Sequence, residues 1–361
     1  MAKLPKPRDD LAGFAPYRTA AQMQPGVIRL AANEWAEPNP AGKWLSPNEL
    51  EAVLLNRYPT AGADLKAVLA KQYGVTPDQL ILGNGSNDVL LQTFLMFGGA
   101  GRKTLLFQPT YSMHDRLATI AGGTVVNERV GFPYDLSKNH ALETMARVQP
   151  EVVVFTTPNN PTGNEIDFDV ILAVAKMYPE TLVLVDEAYS DFAGRTILPE
   201  LATHPNLVIS KTFSKVLAAA GLRVGILITA PEIADIFRSA QIPTNVSQLT
   251  LAVAVKIAKD EASVARRVRE CTTERERVSR ALREVETIEV HPSVTNFILF
   301  RLKEDKPAEV HARFLEQGVL IRDVSMWIAN ERCLRVSIGT PEENDKFIAA
   351  IKHAFPARVR A

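Results

Sequence analysis

Between residues 65 and 240, short runs of Val, Ile and Leu alternate with stretches in which apolar positions recur every three or four residues. The runs predict strands at 80–82, 104–107, 124–130, 152–156, 182–185, 207–209 and 224–228. The spaced stretches predict helices at 65–73, 89–97, 113–121, 142–148, 168–177 and 232–240. Several runs show no polar alternation, so those strands should be buried on both faces, the pattern of a mostly parallel sheet covered by helices. Residues 247–285 contain no Gly or Pro and carry Arg and Glu at helical pair spacings, which predicts one long connecting helix with a solvated face. Strands at 296–302, 319–322 and 334–338, with helices at 308–317 and from 341 onward, then predict a smaller α+β unit. Residues 1–32, punctuated by Pro and Gly around a strand-like run at 27–30, read as an arm laid on that smaller unit. The expected division is therefore an arm at 1–32, a large domain at 33–250 and a small domain at 251–361.

Composition narrows the function. A chain of 361 residues exceeds what one core usually serves, in keeping with two units. Lys plus Arg equals Asp plus Glu at 41 each, so no basic field calls for nucleic acid or an anionic membrane, and anion recognition must be local. Two cysteines, Cys271 and Cys333, make neither a disulfide framework nor a Cys-x-x-Cys metal site, and fit a reducing cytoplasm. The basic N-terminus is not followed by an apolar segment, and no apolar run is long enough to span a bilayer, so neither secretion nor membrane insertion is expected.

In an open α/β sheet, ligands bind beyond the carboxyl ends of the strands, and the unusual polar groups of the first unit fall there. The strand at 207–209 leads to Thr212, Ser214 and Lys215, with Arg223 eight positions on. An ammonium among apolar strands is disfavoured by desolvation, which frees the amine to attack a carbonyl. Solvated surface cations at Lys211, Lys215 and Arg223 are the competing account. The strand at 80–82 leads into Gly83-Asn84-Gly85-Ser86-Asn87-Asp88 and a helix, so backbone amides and the helix dipole face an anion, although capping by Ser86 or Asn87 explains the same residues. The stretch is not a dinucleotide fingerprint, since Asp88 stands where the third Gly belongs, and not a P-loop, since no Gly-Lys-Ser/Thr follows. Tyr111, at another strand end, either covers a flat ligand or packs at a helix start. The turn Pro158-Asn159-Asn160-Pro161-Thr162-Gly163 holds Asn160 at a fixed angle. Asp186, in Asp186-Glu187-Ala188-Tyr189, is a carboxylate at the mouth of an apolar strand and needs a partner.

One ligand satisfies these positions together. Pyridoxal phosphate offers an aldehyde for Lys215, a ring nitrogen for Asp186, a phenolic oxygen for Asn160 and Tyr189, and a ring face for Tyr111. Its phosphate suits the amides of Gly85, Ser86 and Asn87 together with Thr212, Ser214 and Arg223. No metal is required, and the six histidines show no short ligand spacing. Alternation in 333–339 puts Leu334, Val336 and Ile338 on one face and Arg335 on the other, and Arg322 stands opposite Val319 and Ile321. A guanidinium suits carboxylate or phosphate; two arginines solvated on an outer strand face are the alternative.

With Asn159-Asn160-Pro161-Thr162-Gly163, Asp186-Glu187-Ala188-Tyr189 and the Lys215 to Arg223 spacing, the chain resembles the fold-type I pyridoxal-phosphate aminotransferases. Arg57-Tyr58-Pro59, Ser210-Lys-Thr-Phe-Ser-Lys215, Ala220-Gly-Leu-Arg-Val-Gly225, Cys333-Leu-Arg-Val-Ser-Ile-Gly-Thr340, and Tyr17 followed by Leu30-Ala-Ala-Asn33-Glu34 make it most similar to their histidinol-phosphate aminotransferase subfamily. The likeness covers nearly the whole chain. It implies an aspartate aminotransferase-like α/β fold, a mostly parallel large domain with a smaller α+β domain, and a homodimer with shared active sites. It also implies Tyr58 of one subunit at the cofactor phosphate of the other, Tyr17 and Asn33 at the substrate, and Arg322 and Arg335 on the substrate phosphate or the glutamate carboxylate. The implied reaction is transamination between histidinol phosphate and 2-oxoglutarate, with Lys215, Asp186 and Tyr189 at the reacting centre. Transamination of aromatic amino acids, or decarboxylation of a phosphorylated amino acid, is the alternative. A pyridoxal-binding regulator would bring a DNA-binding extension, and no helix-turn-helix pattern or basic stripe precedes the fold. The chain departs from the family at Trp35, where Asn-Glu-Asn is usual, and at Thr244, where Pro-Tyr-Asn is usual, and both departures bear on the substrate pocket.

Overall fold

The computed structural model describes residues 8–11, 14 and 26–355. Seven strands form the large sheet: β1 (Leu80–Asn84), β2 (Lys103–Gln108), β3 (Thr124–Arg129), β4 (Val152–Thr156), β5 (Leu182–Asp186), β6 (Leu207–Thr212) and β7 (Val224–Thr229). Their order across the sheet is β1-β7-β6-β5-β4-β2-β3. Strands β2 to β6 pair in parallel, and β7 runs antiparallel to both of its neighbours. The apolar runs end before the hydrogen-bonded ladder does: Asp186 pairs with Ser210 and Thr212 with Gly225, so β5 and β6 carry polar residues into the sheet edge.

Burial on both faces follows from the uninterrupted apolar runs. Val153, Phe155, Val183 and Val185 enter the core on one side of the sheet, while Val152, Val154, Leu182 and Leu184 enter the core on the other. Each such side chain contributes about 1.5–3 kcal/mol of burial, which makes these strands a rigid platform. Helices α1 (Ala63–Tyr73), α2 (Ser86–Phe97) and α3 (Ser112–Ile120) flank it.

The single connecting helix expected over 247–285 is two helices, α4 (Gln248–Ala258) and α5 (Glu261–Arg283). Asp260 leaves helical geometry, with φ −89° and ψ 62°, and its side chain accepts the Ser263 amide to cap α5. Leu251, Val253, Ala254, Ile257 and Ala258 of α4 are buried with the large sheet, so α4 is not a solvated linker. Cys271, Val278 and Leu282 of α5 are buried with the small unit. Packing thus places α4 against the large sheet and α5 against the small unit.

The small sheet orders β10 (Arg322–Asp323), β11 (Cys333–Ser337), β9 (Phe297–Leu302) and β8 (Ile288–Val290), all antiparallel. The strand expected over 319–322 is split. Val319–Leu320 pairs in parallel with Ile28–Arg29, and β10 turns to pair with β11. Leu30 is buried in the small unit's core, fastening this part of the arm. Among the described residues no helix is long and apolar enough to cross a membrane.

Candidate functional site

The reversal of β7 decides how the site assembles. Because β7 runs backwards, its first residues sit at the carboxyl ends of the parallel strands. Val224 pairs with Asn84 and Gly225 with Thr212, so Arg223 arrives beside Gly85 and Thr212. Gly85 has φ 88° at the start of α2, and a Cβ there would run into the Arg223 guanidinium, so the close approach requires glycine. Chain order reverses between β4 and β2, which open the crevice where Tyr111 and Asn160 stand.

A cavity of about 320 Å³ lies over these strand ends. Its lining brings together Asn33, Ser86, Asn87, Tyr111, Asn160, Asp186, Tyr189, Thr212, Ser214, Lys215, Arg223, Arg322 and Arg335, and adds Trp327. Thirteen of the sequence-derived candidates therefore converge on one place. Gly85 borders it through Arg223. Tyr58 does not, being 92% exposed on the surface, and Tyr17 lies outside the described residues. Trp35 and Thr244 do not line the cavity: the Trp35 indole donates to Glu37 at 3.1 Å, and the Thr244 hydroxyl donates to the Pro243 carbonyl at 2.7 Å.

The two neighbouring lysines differ in their partners: Lys211 is spent on an ion pair, and Lys215 is not. Lys211 is buried, with Nζ 2.8 Å from Glu187 and 2.7 Å from the Ser190 hydroxyl. Glu187 also accepts from Thr196 Oγ1 at 2.6 Å and the Ile197 amide at 2.7 Å, so the buried charge is fully engaged. Lys215 is half-buried at the cavity, donates to the Ala32 carbonyl at 3.2 Å and lies 5.5 Å from the centre of the Tyr189 ring. No carboxylate competes for it within ion-pair distance among the described residues.

Asp186 has the partners its burial demands. Oδ1 accepts from Ser210 Oγ at 3.0 Å and from the Ala188 amide at 3.1 Å, and Oδ2 is 3.0 Å from His114 Nε2. With Nε2–H donating to the carboxylate, Nδ1 accepts the Thr110 hydroxyl at 3.4 Å, and Thr110 lies 2.8 Å from Thr156. Sequence reasoning missed His114. Its signal was the spacing from Tyr111: three residues on along α3, the imidazole stands edge-on to the Tyr111 ring at 5.4 Å.

The small unit closes the other side. Arg335, 4% exposed, donates to Asn160 Oδ1 at 2.5 Å and to the Ala31 carbonyl at 2.9 Å. Asn160 and Asn33 each donate from Nδ2 to the Tyr189 hydroxyl, at 3.5 and 2.9 Å. Asn33 Oδ1 accepts Ser337 Oγ at 3.0 Å, so its side chain ties the arm, the small sheet and Tyr189 together.

The donor set fits pyridoxal phosphate. Arg223 has no carboxylate partner among the described residues, and with Ser86, Asn87, Thr212 and Ser214 it forms an anion cradle on the α2 N-terminus. Lys215 would hold the aldehyde, the buried Asp186 carboxylate the ring nitrogen, and Asn160 with Tyr189 the phenolic oxygen.

Residues 23–351 match the family described as Aminotransferase class I and II. The chain is 38% identical over 339 residues to a histidinol-phosphate aminotransferase of Corynebacterium glutamicum, covering 90% of each chain. It is 33% identical over 342 residues to one from Aquifex aeolicus, covering 94% of this chain and 95% of the other. Its fold matches the crystal structure of a histidinol-phosphate aminotransferase from Sinorhizobium meliloti in complex with pyridoxal-5'-phosphate, with a TM-score of 0.81, 23% identity, and 96% and 99% of the two chains covered.

Proposed function

This chain belongs to the class I and II aminotransferase family, and we propose that it transfers an amino group between histidinol phosphate and 2-oxoglutarate with pyridoxal phosphate as cofactor, a step of histidine biosynthesis. The carrying observation is the pair Arg322 and Arg335, directly opposite each other in register and facing a cavity floored by Lys215 and Asp186. Two guanidinium groups suit the phosphate of one substrate and the carboxylate of the other. The curated relatives of the same name, similar over at least nine-tenths of the chain, support the reading.

Bound pyridoxal phosphate supplies the electron sink into which the substrate's Cα–H bonding electrons drain. Lys215, with no carboxylate to neutralise it, holds and moves the proton at that carbon. Asp186, aimed by Ser210, Ala188 and His114, presents its carboxylate to the ring nitrogen. Tyr189 and Asn160 would hold the phenolic oxygen, and Asn160 also accepts from Arg335, so the residues that would meet the ring and the substrate anion belong to one connected set of hydrogen bonds. Arg223 and its hydroxyl neighbours anchor the phosphate.

The test is an assay with glutamate as donor and imidazole acetol phosphate beside aromatic keto acids as acceptors. Preference for the phosphorylated acceptor is expected. Preference for aromatic keto acids would move the chain to an aromatic aminotransferase, and release of carbon dioxide from a phosphorylated amino acid would make it a decarboxylase.

The functional unit in this reading is a homodimer. Tyr58 with Leu50, Leu54 and Leu55 forms an exposed, partly apolar segment remote from its own cavity, which suits a second copy whose cofactor phosphate receives Tyr58. Sedimentation should give a dimer, and Tyr58→Ala chains mixed with Lys215→Ala chains should regain activity; a monomeric active enzyme would defeat the assignment. The two cysteines are free and buried, which suits the reducing cytoplasm. Cell fractionation checks that placement.

A further inference from the structure

We propose that Trp327 is a positioning residue that sets the spacing of Arg322 and Arg335 and thereby favours phosphorylated over carboxylate substrates. This rests on the reading that the two arginines receive the substrate anion.

Arg322 and Arg335 are cross-strand partners on β10 and β11, so their side chains leave the same face, and like charges placed directly opposite repel. The Trp327 ring centre lies 6.0 Å from the Arg322 guanidinium carbon and 5.9 Å from that of Arg335. An indole is the strongest of the aromatic partners for a cation, and this one meets both charges at the cavity wall that it also lines, while Arg335 lies closer still to the Phe297 ring, at 5.3 Å. Trp327 is itself anchored: its amide donates to the Val324 carbonyl at 2.9 Å, its carbonyl accepts the Asn330 amide at 3.1 Å, and it packs against the cluster of Tyr134, Leu299, Val324 and Cys333.

The two arginines depend on this ring unequally. Arg335 is also held by Asn160 and the Ala31 carbonyl. Arg322 has no hydrogen bond or ion pair from its side chain among the described residues, and its contact with Trp327 is what orients it. A carboxylate is satisfied by one guanidinium, and Arg335 keeps its place through Asn160 and the Ala31 carbonyl when the indole is lost. A phosphate dianion spreads charge over three oxygens and gains from a second guanidinium. Loss of the indole should therefore weaken the phosphorylated substrate far more than glutamate.

The experiment compares wild type, Trp327→Ala and Trp327→Phe holoenzymes in the two half-reactions separately. Trp327→Ala should raise KM for histidinol phosphate about tenfold while KM for glutamate changes less than about threefold, with kcat little changed in both, and Trp327→Phe should restore most of the loss. Equal changes for both substrates, or none, would overturn the proposal. If wild type does not accept histidinol phosphate, the preceding functional reading fails instead. Calorimetric titration of the holoenzyme with inorganic phosphate then decides on Trp327: weaker binding by Trp327→Ala upholds it, and unchanged binding removes it.

Discussion

The carboxyl edge of the large sheet and the face of the small sheet meet at one cavity and hold their charges in opposite ways. On the large sheet, Asp186 is buried and both of its oxygens are engaged, by Ser210, Ala188 and His114. On the small sheet, two cations stand opposite each other, and Arg322 has no carboxylate partner among the described residues. A group that stays at one fixed place on a cofactor needs a fixed environment, and the low-dielectric interior makes any unmet partner costly. Groups that must accept first one anion and then another cannot be neutralised in advance. In the proposed reaction an arriving anion would offset the repulsion between the two arginines.

The floor should tolerate least. Lys215→Ala should abolish turnover, and borohydride, expected to fix the cofactor to Lys215 in the wild type, should fix none in the variant. Asp186→Ala should retain cofactor weakly and lose about a hundredfold or more in rate. Labelling at another lysine, or a near-wild-type rate for Asp186→Ala, would erase the contrast between a committed floor and an adaptable wall.

The smallest expected effect is on stability at the seam between the units, where His291 sits between the two behaviours. Its ring packs against Phe132 and Tyr134 with centroids at 5.0 and 4.9 Å, and Nε2 is buried without a hydrogen-bond partner among the described residues. Burial, with a further push from the Arg301 charge, lowers its pKa from 6.5 to about 4. The unfolded chain therefore binds the proton first as pH falls, so the stability that neutral His291 contributes is full above about pH 6.5 and is lost as pH drops towards 4. His291→Phe should flatten the stability curve in that window by about 2 kcal/mol at most, read from urea unfolding at pH 7 and pH 4.5. An unchanged slope would place the acid sensitivity elsewhere.

Much of the floor was legible before any coordinates. Local chemistry carries it: each of Ser86, Asn160, Asp186 and Lys215 follows closely on an apolar run, and in a parallel sheet all such positions share one edge. Alternation likewise put Arg335 opposite Leu334 and Val336, though it left open whether water or protein lay on that side. The break at Asp260 was not legible, because a single capping residue without Gly or Pro does not interrupt an apolar period.

What the one-dimensional pattern determined, then, was the sequence of elements, the two-sided burial of the central strands, and the set of polar groups at their ends, since these depend on neighbours within a few residues. Tertiary structure alone decided which lysine is spent on Glu187, that His114 stands behind Asp186, and that Trp327 stands beside both arginines. The Lys211–Glu187 and His114–Asp186 pairings join different strands and helices, and Trp327 meets the two arginines only because β10 turns back to pair with β11, so each contact exists through the packing of sheets and helices.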